Sequence, residues 1–280
     1  MSNAPRDAAY ALGRTSHETT RLIEQSKIYG GSTQRLLEAA GIANGMKVLE
    51  IGSGAGDVAL TLAELVGKEG RVVGVDVNAD ILETARKRAE AAGFTNVEFI
   101  AGDARKLELP NDFDALVGRF VLMYMANPSD ALKHLVTHLR PDGIVAFQEP
   151  EYTIYPAVAH PDTPLMNQLI SWIVEVFQAT GAHLDKGIGL YRVFVEAGLP
   201  EPIMHFEAPV GAAETWAGYR YMATIFESLL PMLEKYDIAT AAEVGVETLA
   251  ARVREEVLIA KRPFFLPLHL SAYTRMSHLP

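Results

Sequence analysis

The chain has 280 residues, 49% of them hydrophobic and 21% charged, with a formal net charge of −10 and no cysteine. That is enough apolar material for one large core, and it excludes disulfides and thiolate metal sites. The acidic balance disfavours nucleic acid and anionic membrane surfaces as partners, because phosphates are held mainly by Lys and Arg. A small-molecule substrate fits better.

The opening, Met1-Ser2-Asn3-Ala4-Pro5-Arg6-Asp7, has no apolar stretch that would act as a signal peptide. No apolar run reaches the roughly 18 residues of a membrane span. A cytoplasmic location is the expectation. Residues 8–41 read as helices: Leu22, Ile23, Ile28, Leu36 and Leu37 lie at spacings that share a face, and Gly30-Gly31 is expected to break the run.

Short β-rich runs then alternate with helical stretches. Strands are expected at Lys47–Ile51, Arg71–Asp76, Val97–Ala101, Phe113–Phe120 and Ile144–Glu149, with helices over 57–67, 79–92 and 129–139 between them. Pro141-Asp142-Gly143 is the turn into the fifth strand, whose Ile144-Val145-Ala146-Phe147 run suits a strand covered on both faces. This rhythm predicts an α/β fold with a parallel sheet and right-handed crossovers. After Pro150 the pattern changes. Helices are expected over 165–179, 188–197, 214–235 and 240–261, with strands at Ile203–Val210 and Pro263–Tyr273.

The strongest local signal is Val48-Leu49-Glu50-Ile51-Gly52-Ser53-Gly54-Ala55-Gly56-Asp57, a buried strand running into three spaced glycines and a helix. Glycine allows positive φ and close ligand approach, and the helix start offers unpaired N–H groups. Such a loop alone also fits a structural turn. Two further features point to a ligand. The second strand ends in Asp76, twenty positions past Gly56, where a carboxylate can accept from ribose hydroxyls. The third ends in Ala101-Gly102-Asp103-Ala104, where a carboxylate beside a backbone N–H matches an adenine edge. Ligands of open α/β sheets bind at that strand-end edge.

A nicotinamide enzyme is the rival. Its fingerprint is G-x-G-x-x-G, whereas here the glycines run G-x-G-x-G and Asp57 takes the place of the third. A carboxylate there opposes a pyrophosphate and suits an ammonium and a sulfonium. The reading is S-adenosylmethionine rather than NAD.

Glu50-x-Gly52-x-Gly54-x-Gly56, Asp76, Gly102-Asp103-Ala104 and the Arg119-Phe120 strand end resemble the successive motifs of class I S-adenosylmethionine-dependent methyltransferases. Tyr10-x-Leu12-Gly13-Arg14, Arg21-Leu22, Gln25 and Val117–Tyr124 are similar to a bacterial small-molecule branch that includes many natural-product O-, N- and C-methyltransferases. The resemblance implies a Rossmann-like seven-stranded sheet of order 3-2-1-4-5-7-6, strand seven antiparallel, with helices on both faces and a helical lid. One domain is expected over 1–280: an N-terminal helical lid at 1–41, a cofactor-binding core at 42–150, and a substrate-side lobe with the last strands at 151–280.

Carried over residue by residue, the resemblance sets Gly52, Ser53, Gly54 and Gly56 around the methionine part of the cofactor, with Glu50 holding its amino end through the loop. Asp76 would bind the ribose and Val77 would lie against adenine. Gly102, Asp103 and Ala104 would read the adenine edge, and the Arg119 carbonyl, beside Phe120, would approach the cofactor amino group. Gln25 and Tyr29 would either close the pocket or pack as ordinary helix residues.

Methyl transfer from a sulfonium needs alignment above all, and a base only when the acceptor arrives protonated. Candidate bases are Glu149, whose second reading is a strand-end acid that binds backbone N–H groups, together with Tyr152, Tyr124, His183, His17, His160 and His205. His134 and His138, at i and i+4, lack a third ligand, and no metal is expected. The aromatic and sulfur residues Trp172, Phe177, Trp216, Tyr219, Tyr221, Met222, Phe226 and Met232 either line an apolar acceptor site or pack the lobe. The expected reaction is methyl transfer to a small apolar or aromatic metabolite, oxygen favoured. C- or N-methylation, and a non-methylating reaction on the same fold, stay open, as does a homodimer.

Overall fold

The computed structural model describes residues 7, 8, 10, 12 and 16–276, without the side chains of 16–19. Helix α1 (Ser16–Ala40) leads into β1 (Lys47–Ile51), α2 (Asp57–Val66), β2 (Arg71–Asp76), α3 (Ala79–Ala91), β3 (Val97–Ala101) and β4 (Phe113–Arg119). Then follow α4 (Pro128–Leu135), β5 (Leu139–Glu151), α5 (Pro164–Thr180), α6 (Lys186–Glu196) and β6 (Ile203–Glu207). The chain closes with β7 (Val210–Gly211), α7 (Gly218–Lys235), α8 (Ala241–Val244), α9 (Val246–Ala260), β8 (Phe264–Phe265) and β9 (Leu268–Arg275).

The large sheet has the order β3-β2-β1-β4-β5-β9-β6, with β9 antiparallel to both neighbours. Because β7 and β8 form a separate two-stranded ribbon, β9 is the seventh strand of this sheet, and the order is the expected 3-2-1-4-5-7-6. Successive residues of the central strands point to opposite faces. Val48, Ala115 and Ile144 meet Leu37, Leu62 and Leu82 of α1–α3, while Leu49, Leu116 and Val145 meet Leu132, Leu190 and Phe194 of α4 and α6. Both faces are therefore dry, as the unbroken apolar run of β5 requires. A third core joins α5, α7 and α9 into a lobe, and α1 packs along α7.

Four expectations need correction. Gly30 and Gly31 do not break α1: each costs about 1 kcal/mol against alanine, and burying neighbouring Tyr29 and Leu36 on the same helix outweighs that. Pro141-Asp142-Gly143 lies within β5 as a register shift, with Asp142 at φ 63°, instead of preceding the strand. The 240–261 helix is divided at Gly245, which has φ 56°. The last strand is split into β8 and β9, with Pro267 just before β9; a proline has no N–H for a ladder.

Candidate active site

A cavity of about 530 Å³ opens where the ends of β1, β2, β3 and β4 meet α1 and the lobe. Its floor is the glycine loop. Gly52 has φ 73°, and a Cβ there would come within 2.7 Å of Val121. The loop is pinned from beneath, because the Gly52 and Ser53 N–H groups donate to the Val75 carbonyl at 2.8 and 3.1 Å. Asp76 closes the next turn: its Oδ2 accepts from the Gly54 N–H at 2.9 Å and its Oδ1 from the Asn78 N–H at 2.8 Å. Beside it Val77 is 61% exposed, an apolar side chain held at the cavity wall.

Glu50 is buried under the loop and accepts from Ser53 Oγ at 2.8 Å. Burial pushes its carboxyl up to about 8, against the pull of the Ser53 hydroxyl and the Arg119 charge. Asp103 is gripped by Arg105 through Nε and Nη2, both at 2.8 Å, and that bond holds its carboxyl below the usual range. The same guanidinium reaches Asp7 at 2.6 Å, whose Oδ1 also accepts from the Ala126 N–H at 3.0 Å. The residue 7–8 segment is thereby strapped along the cavity wall, with the Ala8 N–H bonded to the Tyr124 carbonyl at 2.8 Å.

Towards the lobe the walls change character. Leu12, Met123, Ile173, Phe177 and Ile225 make an apolar chamber, into which Tyr152 and Tyr221 also face. Tyr221 Oη accepts from Gln25 at 3.1 Å and Arg21 at 3.4 Å. Burial raises the Tyr152 phenol well above its ordinary value, so at neutral pH it is a hydrogen-bond donor. Phe120, at φ 55°, leaves β4 in a conformation rare for a bulky side chain and stacks edge-on against Tyr29 at 5.1 Å.

A family model described as a methyltransferase domain matches residues 42–198, more than half of the chain. The chain belongs to that family. The ubiquinone/menaquinone biosynthesis C-methyltransferase UbiE of Pseudomonas fluorescens is 31% identical over 182 residues, 60% of this chain and 71% of that protein. Among solved structures, a geranyl diphosphate methyltransferase in complex with S-adenosylmethionine superposes with a TM-score of 0.55 at 14% identity, covering 97% of this chain and 96% of that one. The [4+2]-cyclase SpnF superposes with a TM-score of 0.56 at 17% identity, over 98% and 99% of the two chains. These two likenesses establish the fold.

The methyltransferase uses S-adenosylmethionine as its cofactor. Its cavity fits that group in kind: a glycine loop with no room for a Cβ at Gly52, an acid at the end of β2, a buried acid beneath the loop and a partly buried guanidinium at the end of β4. Gln25, Tyr29, Glu50, Gly52, Ser53, Gly54, Asp76, Val77, Gly102, Asp103, Ala104, Arg119 and Phe120 all line it. Gly56 does not. At φ 86° it instead lets α2 settle on α3, where a Cβ would come within 3.0 Å of Ala85.

Three expectations about chemistry change. Asp57 reaches the wall, but its charge is paired with Arg88 at 2.6 Å, so it adds little to the preference for a cationic ligand. Glu149 lies outside the cavity lining; its carboxylate accepts from the Val121, Leu122 and Met123 N–H groups at 3.0, 2.8 and 3.2 Å. Those bonds occupy both oxygens and fix the turn that carries Phe120. His183 is also absent from the lining, and its backbone N–H donates to the Met123 carbonyl at 3.0 Å. The His17 side chain lies outside the described residues. Of the three leading catalytic candidates only Tyr152 faces the cavity, and among the described residues no histidine lines it.

Of the aromatic and sulfur residues of the lobe, Phe177 and Tyr221 line the cavity, while Met222 and Phe226 are buried in the lobe core. Sequence reading passed over buried His269, whose ring lies 5.2 Å from that of Tyr29 and whose pKa burial pushes down to about 4. It also passed over the Arg105 strap and the Arg119 side chain. No spacing in the sequence could have joined Asp7 to Arg105. Among the described residues no cluster could hold a metal ion, and no helix is long and apolar enough to cross a membrane.

The raised Glu50 carboxyl makes cofactor binding a proton-linked event. Between about 4.5 and about 8 the folded apoprotein holds a proton there that the unfolded chain releases, so this group's stabilisation falls as pH rises through that window. A ligand ammonium beside Glu50 reverses the preference. Calorimetry in buffers of different ionisation enthalpy should therefore detect release of about one proton at pH 7 when S-adenosylhomocysteine binds. The release should vanish in Glu50→Gln.

Proposed function

We propose that this methyltransferase acts on a small molecule with an apolar body and a phenolic or enolic hydroxyl, and that it methylates the oxygen. The cofactor supplies a methyl group already activated on a sulfonium. The observation that carries the reading is the single cavity that joins the glycine loop to the apolar chamber of Ile173, Phe177 and Ile225. Of the lining acids, Glu50, Asp57, Asp76 and Asp103 stand on the loop and the strand ends, away from the lobe residues that wall the chamber, and Asp7 is paired with Arg105. An acceptor whose own hydroxyl ionises needs no protein base there. Tyr152 Oη, for which no described residue provides a partner, would donate to the resulting oxyanion. The other chamber residues exclude water and hold the ring in line, which is where most of the acceleration of such a transfer arises.

Tyr152→Phe should leave the melting temperature unchanged and lower kcat/KM about tenfold, the cost of one hydrogen bond to a charged oxygen. An unchanged kcat/KM in a steady-state assay would remove Tyr152 from the acceptor site.

Methylation at carbon is the second reading, favoured by the C-methyltransferase names of the relatives at 31–35% identity. The deciding experiment incubates the protein with S-adenosylmethionine and a panel of phenols, naphthols, quinols and amines, with products read by mass spectrometry and NMR. An O-methyl product from a phenol or naphthol is expected. Methylated amines with untouched phenols would contradict the proposal, and a new aryl C-methyl signal would select the second reading.

A further inference from the structure

Arg119 occupies an unusual position for a cation. Its side chain lies at the end of β4 in the cavity wall and is partly buried. Nη1 donates to Thr33 Oγ1 at 3.1 Å, and the group sits 6.0 Å from the centre of the Phe120 ring. Among the described residues it forms no ion pair. Glu50 and Asp57 are near enough to act on it electrostatically, yet neither touches it, and Asp57 is already paired with Arg88. A guanidinium has five donors, and among the described residues Thr33 is the one acceptor that meets this one, in a side chain that lines the cavity. Enclosing such a group is costly unless an anion meets it.

We propose that the Arg119 side chain binds the carboxylate of the cofactor's methionine tail, as the positive half of a zwitterion-reading pair whose negative half is Glu50. An α-amino acid carries its ammonium and carboxylate on one carbon, so a site that reads both needs an acid and a base set side by side. β1 and β4 are adjacent and parallel, with Ile51 opposite Gly118, which brings Glu50 and Arg119 to neighbouring strand ends on the floor of the cavity. The planar fork of arginine matches a carboxylate with two parallel hydrogen bonds. Thr33 steadies the fork from behind: its own hydroxyl donates to Gln148 Oε1 at 2.8 Å, so its oxygen is turned to accept from Arg119. The inference rests on the cofactor placement along the glycine loop, and it assigns to the Arg119 side chain a task distinct from that of its carbonyl.

The test compares binding of S-adenosylmethionine with that of its decarboxylated form, which keeps the amine, sulfonium and adenosine. Calorimetry on the full chain should give a preference for the carboxylated ligand of about 100-fold in the wild type, falling to within about threefold in Arg119→Met. Asp76→Ala should weaken both ligands alike and leave the preference intact. A preference that survives undiminished in Arg119→Met overturns the inference and leaves the cofactor placement standing, whereas Asp76→Ala with unchanged affinities overturns the placement itself. Should Arg119→Met fail to fold, Arg119→Gln carries the same comparison. A wild type that binds both ligands equally overturns the inference without any variant.

Discussion

Asp76→Ala is expected to weaken binding of S-adenosylhomocysteine by about 100-fold or more, the largest single loss among the cofactor variants. The side chain has two tasks in one place. Its Oδ1 and Oδ2 hold the Asn78 and Gly54 N–H groups at 2.8 and 2.9 Å, which sets the shape of the glycine loop. The same carboxylate would accept from the ribose hydroxyls, and a hydrogen bond to a charged group contributes about 1.5–3 kcal/mol. Two such bonds amount to about 3 kcal/mol or more, hence the hundredfold figure. Calorimetry measures it, with NAD as the control ligand. Asp76→Asn should lose less, because it keeps one acceptor oxygen. Unchanged affinity in both variants would move the ribose elsewhere.

Glu149→Ala should destabilise the fold by about 3–5 kcal/mol, because it orphans three backbone donors at once, two of them buried. In a chain of this size that lowers Tm by on the order of 10 °C. The more telling variant is Glu149→Gln. If the side chain serves to fix the 120–123 turn, Gln retains part of the fixing, costs some stability, and keeps kcat within about tenfold. If Glu149 were instead the general base, turnover would fall about a thousandfold at unchanged Tm. Burial raises the Glu149 carboxyl to about 7. Its protonated form therefore favours the folded state below about 4.5, and that contribution is lost as pH rises through about 7. Glu149→Gln should flatten this part of the pH–stability curve while leaving the pH–rate profile in place.

What the sequence disclosed follows from what local rules govern. The strands β1 to β4 were legible nearly to the residue, because β-branched runs bounded by glycines and acids have few other solutions. The cofactor edge was legible for the same reason: Gly52, Asp76 and Asp103 each stand at a strand end, and strand ends fall along one line in a parallel sheet. Gly56 looked like its neighbours in the loop, but its task is the contact between α2 and α3, which spacing does not reveal. Glu149 sat at the right place in the chain for a base. The direction of its side chain was decided by a turn 26–28 residues earlier, whose three N–H groups had no other acceptor. Arg119 was read for its carbonyl because a backbone atom is implied by a motif, whereas the isolation of its guanidinium emerges only once α1, β1 and β4 surround it.

The most direct measurement is a crystal structure with S-adenosylhomocysteine. The ribose is expected on Asp76, the adenine between Val77 and Ala104, and the sulfur turned towards the chamber of Tyr152, Phe177 and Ile225. A ligand whose ribose lies away from Asp76, or whose sulfur faces away from that chamber, would contradict this placement.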